Sequence, residues 1–292
     1  MHDLWDNRIQ KRLGHYHVFH DESLPNKRWL LIGLLFVEER NLDEVRGVLQ
    51  EHRRRENYFG EIHFSNLPSS FGGAGGPKAR TARAWLKAYE SGLFEKAFFS
   101  ALAVDRQSPA YDHRRFPRDF HAYNRFTAMA LKAGIAWHLG PLSLDQLELR
   151  LVSDAKDRST RPDNAMIDNF EDYLPYRAEL DSLFAQAEGK SFPSLKMEVH
   201  LEDSAKEDLL QLTDLLLGAT QMALVAGSNS ATKRALGELV VRWYEDTKQE
   251  PWKQRLGLHR KFNLWAFPDP NGRPYNDLSL ALRIFDGQLS LS

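Results

Sequence analysis

Asp214 sits in the least ordinary surroundings of any charged residue in the chain. It lies in "LLQLTDLLLGATQMALVAG", a stretch that is apolar nearly all round, with Leu209, Leu210, Leu212, Leu215, Leu216, Leu217, Met222, Leu224 and Val225. A helix of that kind is buried. Ser204 and Glu207 have the spacing of a capping box at its start, which places Asp214 too deep for a first-turn acid stabilised by the helix dipole. A carboxylate buried there costs on the order of several kcal/mol unless a cation, a metal or a proton compensates. Gln211, Asp214, Gly218 and Gln221 follow one another at i, i+3, i+7 and i+10, a narrow polar seam with a small residue in it, along which something polar could approach. Two uses stay open for Asp214: an ion pair with an Arg or Lys of a neighbouring element, or a group kept for chemistry.

Acidic residues interrupt extended segments at three further places, four residues in all. Asp154 stands where "QLELRLVSDAK" runs out of apolar alternation, at a strand end, where α/β folds gather functional groups and where turn-forming aspartates are also common. Glu61 in "GEIHF" lies between Gly60 and Ile62, with His63 on the same side as a proton carrier or ligand. Asp21 and Glu22 close "HYHVFHDES"; Asp21 is in phase with His15 and His17, Glu22 with Val18 and His20, so only one readily points at a given site. Taken singly, these acids read as a turn aspartate, a solvated edge residue and a polar strand end.

The elements that must position them follow from periodicity. After the opening strand, "KRWLLIGLLFVEE" (27–39) reads as a buried strand, and the intervening "SLPN" carries turn chemistry, so the pair forms an antiparallel hairpin. "NLDEVRGVLQEHRRRE" has helical spacing through Leu42, Val45, Val48 and Leu49. "GEIHFSNLP" reads as a brief extended segment, and the glycine-rich "SSFGGAGG" as a loop leading into a basic amphipathic helix. A strand over "FEKAFFSALAVDR", a long helix over "FHAYNRFTAMALKAGIAWHLG" and the Asp154 strand come next. "AMIDNFEDYLPYRAELDSLFAQAEG" reads as a helix with a break near Pro175. The strand "SLKMEVHLE", the Asp214 helix, a helix over "SATKRALGELVVRWYEDT" and an extended "HRKFNLWAF" complete the series. Strands and helices interleave from end to end, which points to one α/β domain over 1–292 with insertions.

Composition narrows the chemistry. A net charge of −1 announces no global positive field, so any polyanion would be held by local patches. Such patches exist at Arg53-Arg54-Arg55, Lys78/Arg80/Arg83, Arg114-Arg115, Arg158/Arg161 and Arg260-Lys261, each by itself an ordinary solvated face. The absence of cysteine excludes disulfides, thiolate metal sites and Cys nucleophiles. With no signal-peptide core at the N-terminus and no apolar run long enough to span a bilayer, the chain reads as a soluble cytoplasmic protein without a membrane partner. The GGAGGPK loop matches neither a P-loop nor G-x-G-x-x-G, no G-x-S-x-G elbow occurs, and His15 and His17 lack a zinc-binding cluster to join.

Taken in order, "HDES" (20–23), "GEIHFSNL" (60–67), "LVSDAK" (151–156) and "LLQLTDLLLGA" (209–219) resemble the domain of unknown function 3800 family of bacterial proteins. The resemblance covers about residues 15–245, leaving about 246–292 as a C-terminal extension. It departs from the family at His63, where lysine is the commoner residue, and at Leu24, where glycine is. The resemblance implies an RNase H-like α/β fold, a mixed sheet flanked by helices. It also implies that Asp21, Glu61, Asp154 and Asp214 gather at one site, with Asp21 and Asp154 on adjacent strands and Asp214 on a covering helix. Carboxylates so gathered repel one another unless cations join them. Hard divalent ions, Mg²⁺ or Mn²⁺, are the natural partners for oxygen ligands, and two of them can serve phosphodiester hydrolysis.

The expectation is therefore a metal-dependent nuclease acting on RNA or DNA, with Gln211 orienting a ligand or substrate and Glu22, His63 and Lys156 in supporting roles as further ligand, proton carrier and phosphate contact. Two other readings compete: a non-catalytic nucleic-acid- or partner-binding module on the same fold, and a glycosidase using two carboxylates across a sugar-sized cleft.

Overall fold

The computed structural model describes residues 11–23, 28–155, 168–224, 228–247, 249, 251–253, 256 and 260–267. Lys156, Arg158, Arg161, positions 24–26 of the expected turn, the start of the helix expected from 165, and the extension beyond 267 lie outside the described residues.

Strands β1 (Leu13–Ser23), β2 (Trp29–Glu38) and β3 (Ala97–Asp105) form an antiparallel meander. Strand β4 (Gln146–Asp154) adds parallel to β1, and β5 (Ser194–Glu202) parallel to β4. Strand β6 (Phe262–Phe267), from the stretch read as an extension, adds parallel to β3 and completes the order β5-β4-β1-β2-β3-β6. This is the RNase H-like mixed sheet that the resemblance implies, lengthened by one strand at its far edge.

Helices cover both faces of the sheet. On one lie α1 (Leu42–Glu56), α2 (Gly76–Ser91), α5 (Asp208–Leu224) and α6 (Ala231–Thr247), packed over Phe19, Leu31, Leu35, Phe99 and Val152. On the other lie α3 (Asp119–Gly134, continued by a π turn at Ile135–Leu139) and α4 (Phe170–Ala187), over Val18, Ile32, Leu34, Phe36 and Leu151. The nearly all-apolar "WLLIGLLFVE" of β2 is buried almost throughout, as a central strand covered on both faces must be. Helix α5 lies directly on β1, β2 and β3. Its close approach uses Gly33 of β2, where a Cβ would come within 3.2 Å of Leu217 Cδ1. Gly33 is the register partner of Asp21, so the site-bearing end of β1 lies under this helix.

Four local expectations need correction. "GEIHFSNLP" joins no strand; it crosses α5 as irregular chain with a single 3₁₀ turn at Phe64–Asn66. Its backbone donors are taken by α5 side chains instead of a sheet neighbour. Ser204 and Glu207 do not form a capping box. Glu207 is itself the cap: its carbonyl accepts from Gln211 N–H and its Oε1 from Leu209 N–H, while Ser204 lies in a separate 3₁₀ turn and donates its hydroxyl to Glu61. Helix α4 runs unbroken through Pro175, because the carbonyl deprived of its partner belongs to Glu171, which is exposed to water. Among Arg53, Arg54 and Arg55, the last two are solvated and pair with Glu51, but Arg53 is only 3% exposed.

Candidate functional site

Asp21 and Asp154 are set by strand register. Strands β1 and β4 run parallel, with His20 opposite Ser153, and each acid is the next residue along its strand. Both follow inward-facing residues, Phe19 and Val152, of the layer beneath α5, so alternation turns both carboxylates toward that helix.

Glu61 and Asp214 are set by the docking of residues 58–66 along the polar seam of α5. Gln211 Oε1 accepts the Ile62 N–H at 2.8 Å, and Asp214 Oδ2 accepts the Phe64 N–H at 2.5 Å. Two N–H donors two residues apart on this irregular chain thus meet acceptors three residues apart on one helix face. The small residue of the seam, Gly218, receives the Phe64 ring. At the far end, Gln221 accepts from the Ser23 hydroxyl at 2.9 Å, tying the close of β1 to the same face. What approaches along the seam is therefore the Glu61 segment of the chain itself.

Asp21, Glu61, Asp154 and Asp214 line one pocket, together with His63 and Gln211. All four carboxylate residues are half-buried. Ile62, Leu210, Ser204 and the His20 position next to Asp21 complete the lining, with Ser204 hydrogen-bonded to Glu61 Oε1 at 3.1 Å. The His20 ring itself turns to Thr127 on the other face. His63 is at the mouth, its side chain 45% exposed; its Nδ1 receives the Ser65 N–H at 3.2 Å and lies 3.6 Å from Asp214 Oδ1. Gln211 is 2% exposed and engaged on both sides of its amide, accepting from Ile62 and Arg53 and donating to the Ser204 carbonyl. It thereby holds the chain around the pocket.

Glu22 is not brought to the pocket. Strand alternation sends it to the opposite face, where its Oε2 lies 3.4 Å from Nε2 of the buried His20. His20 in turn hydrogen-bonds Ser153 Oγ through Nδ1 at 3.0 Å, joining β1 to β4 immediately behind Asp21 and Asp154.

Two cations border the site. Burial pushes the Lys78 ammonium below its ordinary value, while the charges of Glu61 and Asp214 draw it back up. Lys233 donates to the Ser65 carbonyl at 2.9 Å and lies 5.4 Å from the centre of the Phe64 ring. Sequence reasoning put Lys78, with Arg80 and Arg83 beside the glycine loop, in the basic segment expected above all others to track a nucleic-acid backbone, and gave Lys233 no role. It also passed over Glu202, the register partner of Asp154 on β5, whose carboxylate is 3.5 Å from Arg150; an acid closing "SLKMEVHLE", as Asp154 closes its own strand, was the available signal.

The donor set is chemically suited to a hard divalent ion: four carboxylates, with no sulfur. Among the described residues, no three His, Asp or Glu side chains stand at ligand spacing around one point. Glu61 is turned to Ser204, and Asp214 to the Phe64 amide.

No protein-family model matches the chain, and no curated protein matches it, so the resemblance to the domain of unknown function 3800 family rests on the four short motifs. Among solved structures, the chain is similar to the ribonuclease H2 from Pyrococcus horikoshii OT3, at 11% identity and a TM-score of 0.37, over 84% of this chain and 97% of that one. It is also similar to a chain of the PCNA:RNase HII complex from Archaeoglobus fulgidus, at 11% identity and a TM-score of 0.32, over 81% and 91%. Likenesses this distant carry no weight for function, and the assignment of the fold rests on the strand order itself. No helix among the described residues is long and apolar enough to cross a membrane.

Proposed function

We propose that the chain is a metal-dependent nuclease that hydrolyses phosphodiester bonds of RNA or DNA. The observation carrying this reading is the convergence of Asp21, Glu61, Asp154 and Asp214, from four separate segments, on one pocket at the ends of two parallel strands. Acids so gathered repel unless cations join them, and these four residues would hold Mg²⁺ or Mn²⁺. The bound ions would supply Lewis acidity and an activated water. The chain's own part is to hold the four carboxylates rigidly, with Lys78 and Lys233 offering positive charge at the rim to a phosphate backbone. With Nδ1 of His63 engaged by Ser65, proton exchange at the mouth would run through Nε2.

The test is a cleavage panel over labelled RNA, DNA and hybrid substrates with Mg²⁺ or Mn²⁺, using EDTA and Asp154→Asn as controls. The reading expects metal-dependent cleavage that falls at least about 100-fold in the variant. Equal cleavage by Asp154→Asn would remove it, and cleavage that survives EDTA would replace the metal site with a metal-free acid–base site.

A second reading draws on the hydrogen bonds that engage Glu61 and Asp214 within the protein. If those bonds are the whole purpose of the two acids, the chain is a non-catalytic nucleic-acid- or partner-binding module. Binding of the panel's substrates without cleavage, insensitive to EDTA, would mark that case.

A further inference from the structure

The chain around Glu61 is gripped by one buried guanidinium. Arg53 lies in the last turn of α1, which ends at Asn57 in the left-handed conformation (φ 51°), and the chain there doubles back over Arg53. Nη1 of Arg53 donates to the Gly60 carbonyl at 2.7 Å and to the Tyr58 carbonyl at 3.4 Å. Nη2 donates to Gln211 Oε1 at 2.8 Å, the atom that also accepts the Ile62 N–H. Nε and Nη2 both reach Asp208 Oδ1, at 3.0 and 2.7 Å, and the guanidinium lies 4.7 Å from the centre of the Trp85 ring. Every nitrogen is engaged; Arg53 holds the peptide group before Glu61 directly, and the one after it through Gln211, whose Oε1 it shares with the Ile62 N–H.

We propose that Arg53 is the positioning residue for Glu61, and that its planar fork clamps residues 58–62 onto α5 so that Glu61 faces Asp214 across the pocket. The role rests on the carboxylate pocket being the functional site. Lysine cannot replace this fork, because a single ammonium cannot bridge Asp208, Gln211 and Gly60 in one plane. An arginine kept only to neutralise Asp208 would need just the ion pair, whereas here two of its three nitrogens also reach beyond Asp208.

Two variants separate these uses: Arg53→Lys, which keeps the charge, and Arg53→Met combined with Asp208→Asn, which removes both charges together and leaves no buried ion unpaired. Amide hydrogen exchange and Mn²⁺ affinity by electron paramagnetic resonance are measured well below each melting point. The expected result is exchange at the Ile62 and Phe64 amides at least about tenfold faster, with the sheet amides unchanged, and Mn²⁺ binding weakened by about tenfold or more. Wild-type protection at Ile62 and Phe64 in either folded variant, or exchange raised evenly over the whole chain, would overturn the clamp. Should the wild type bind no Mn²⁺, or Asp154→Asn bind it equally well, the carboxylate reading falls, and with it the consequence of the clamp for metal; the exchange result decides the clamp on its own.

Discussion

The ring of Phe64 lies against Gly218 so closely that a Cβ at that position would fall inside the ring's van der Waals surface. Phe64 is also the residue whose N–H is held by Asp214, one helical turn earlier on α5. Gly218→Ala must therefore lift the segment carrying Glu61, and overpacking of this kind costs about 1–3 kcal/mol. Urea denaturation should show that loss, and cleavage should fall with it. A variant as stable and as active as the wild type would mean that Phe64 moves aside freely and that the seam does not fix the pocket.

Asp154 and Asp214 should respond oppositely to loss of charge. Asp214→Ala strips the Phe64 N–H of its acceptor, at a cost of about 1–3 kcal/mol, and Asp214→Asn keeps an oxygen there and should cost less. Asp154→Asn removes one negative charge from a pocket that three other acids line, so stability should hold or rise. Denaturation midpoints of the three variants, measured without divalent ions, check the order. Asp154→Asn losing as much as Asp214→Ala would give Asp154 a structural purpose instead.

The sheet was legible in the sequence because each strand states its own burial. β2 is apolar up to its final Glu38, β4 alternates, and alternation alone put Asp21 and Glu22 on opposite faces. Asp214 stood out because charge is costly in its apolar helix, whereas Asp21, Glu61 and Asp154 read singly as ordinary polar positions and were joined to it only by the order of the four motifs. Arg53 was hidden by its neighbours Arg54 and Arg55, yet it continues the buried stripe Leu42, Val45, Leu49 at the next helical step. Ser204 could not be resolved from sequence: its hydroxyl suits a helix cap or a carboxylate equally, and only the arrival of Glu61, 143 positions away, decides between them. The pairing of β6 with β3 is likewise a long-range choice that no local pattern in "FNLWAF" records.

His138 should make stability fall in mild acid. It is buried between the rings of Phe36 and Phe98, donates from Nδ1 to the Arg260 carbonyl at 2.6 Å, and keeps a buried Nε2 with no hydrogen-bond partner among the described residues. Burial lowers its pKa from 6.5 to about 4. The unfolded chain then takes up the proton more readily than the folded one. The contribution is whole above about pH 6.5 and is lost as pH falls toward 4, by on the order of 3 kcal/mol in all. His138→Asn, which retains a donor for Arg260, should flatten the denaturation midpoint over that range. An unchanged slope would place the acid sensitivity in other groups.

Divalent ions should stabilise the folded chain through the same four acids that the nuclease reading uses. An ion that binds only the folded state adds about 2.7 kcal/mol at 100 times its dissociation constant, and here it would also relieve repulsion among carboxylates lining one pocket. The melting temperature in Mn²⁺ should therefore exceed that in EDTA, most clearly at low ionic strength, where the repulsion is least screened. Asp154→Asn should melt higher than or level with the wild type in EDTA yet gain much less from Mn²⁺, so that the two melting curves cross as the ion is added. Glu22→Gln serves as the control, since Glu22 faces His20 on the other side of the sheet, and it should keep the full gain. If Asp154→Asn gains as much as the wild type, the ion is bound elsewhere and the four acids do not form its site. If Glu22→Gln loses the gain as fully as Asp154→Asn, the ion-sensitive region extends through the sheet to the His20 side, and the pocket alone does not account for it.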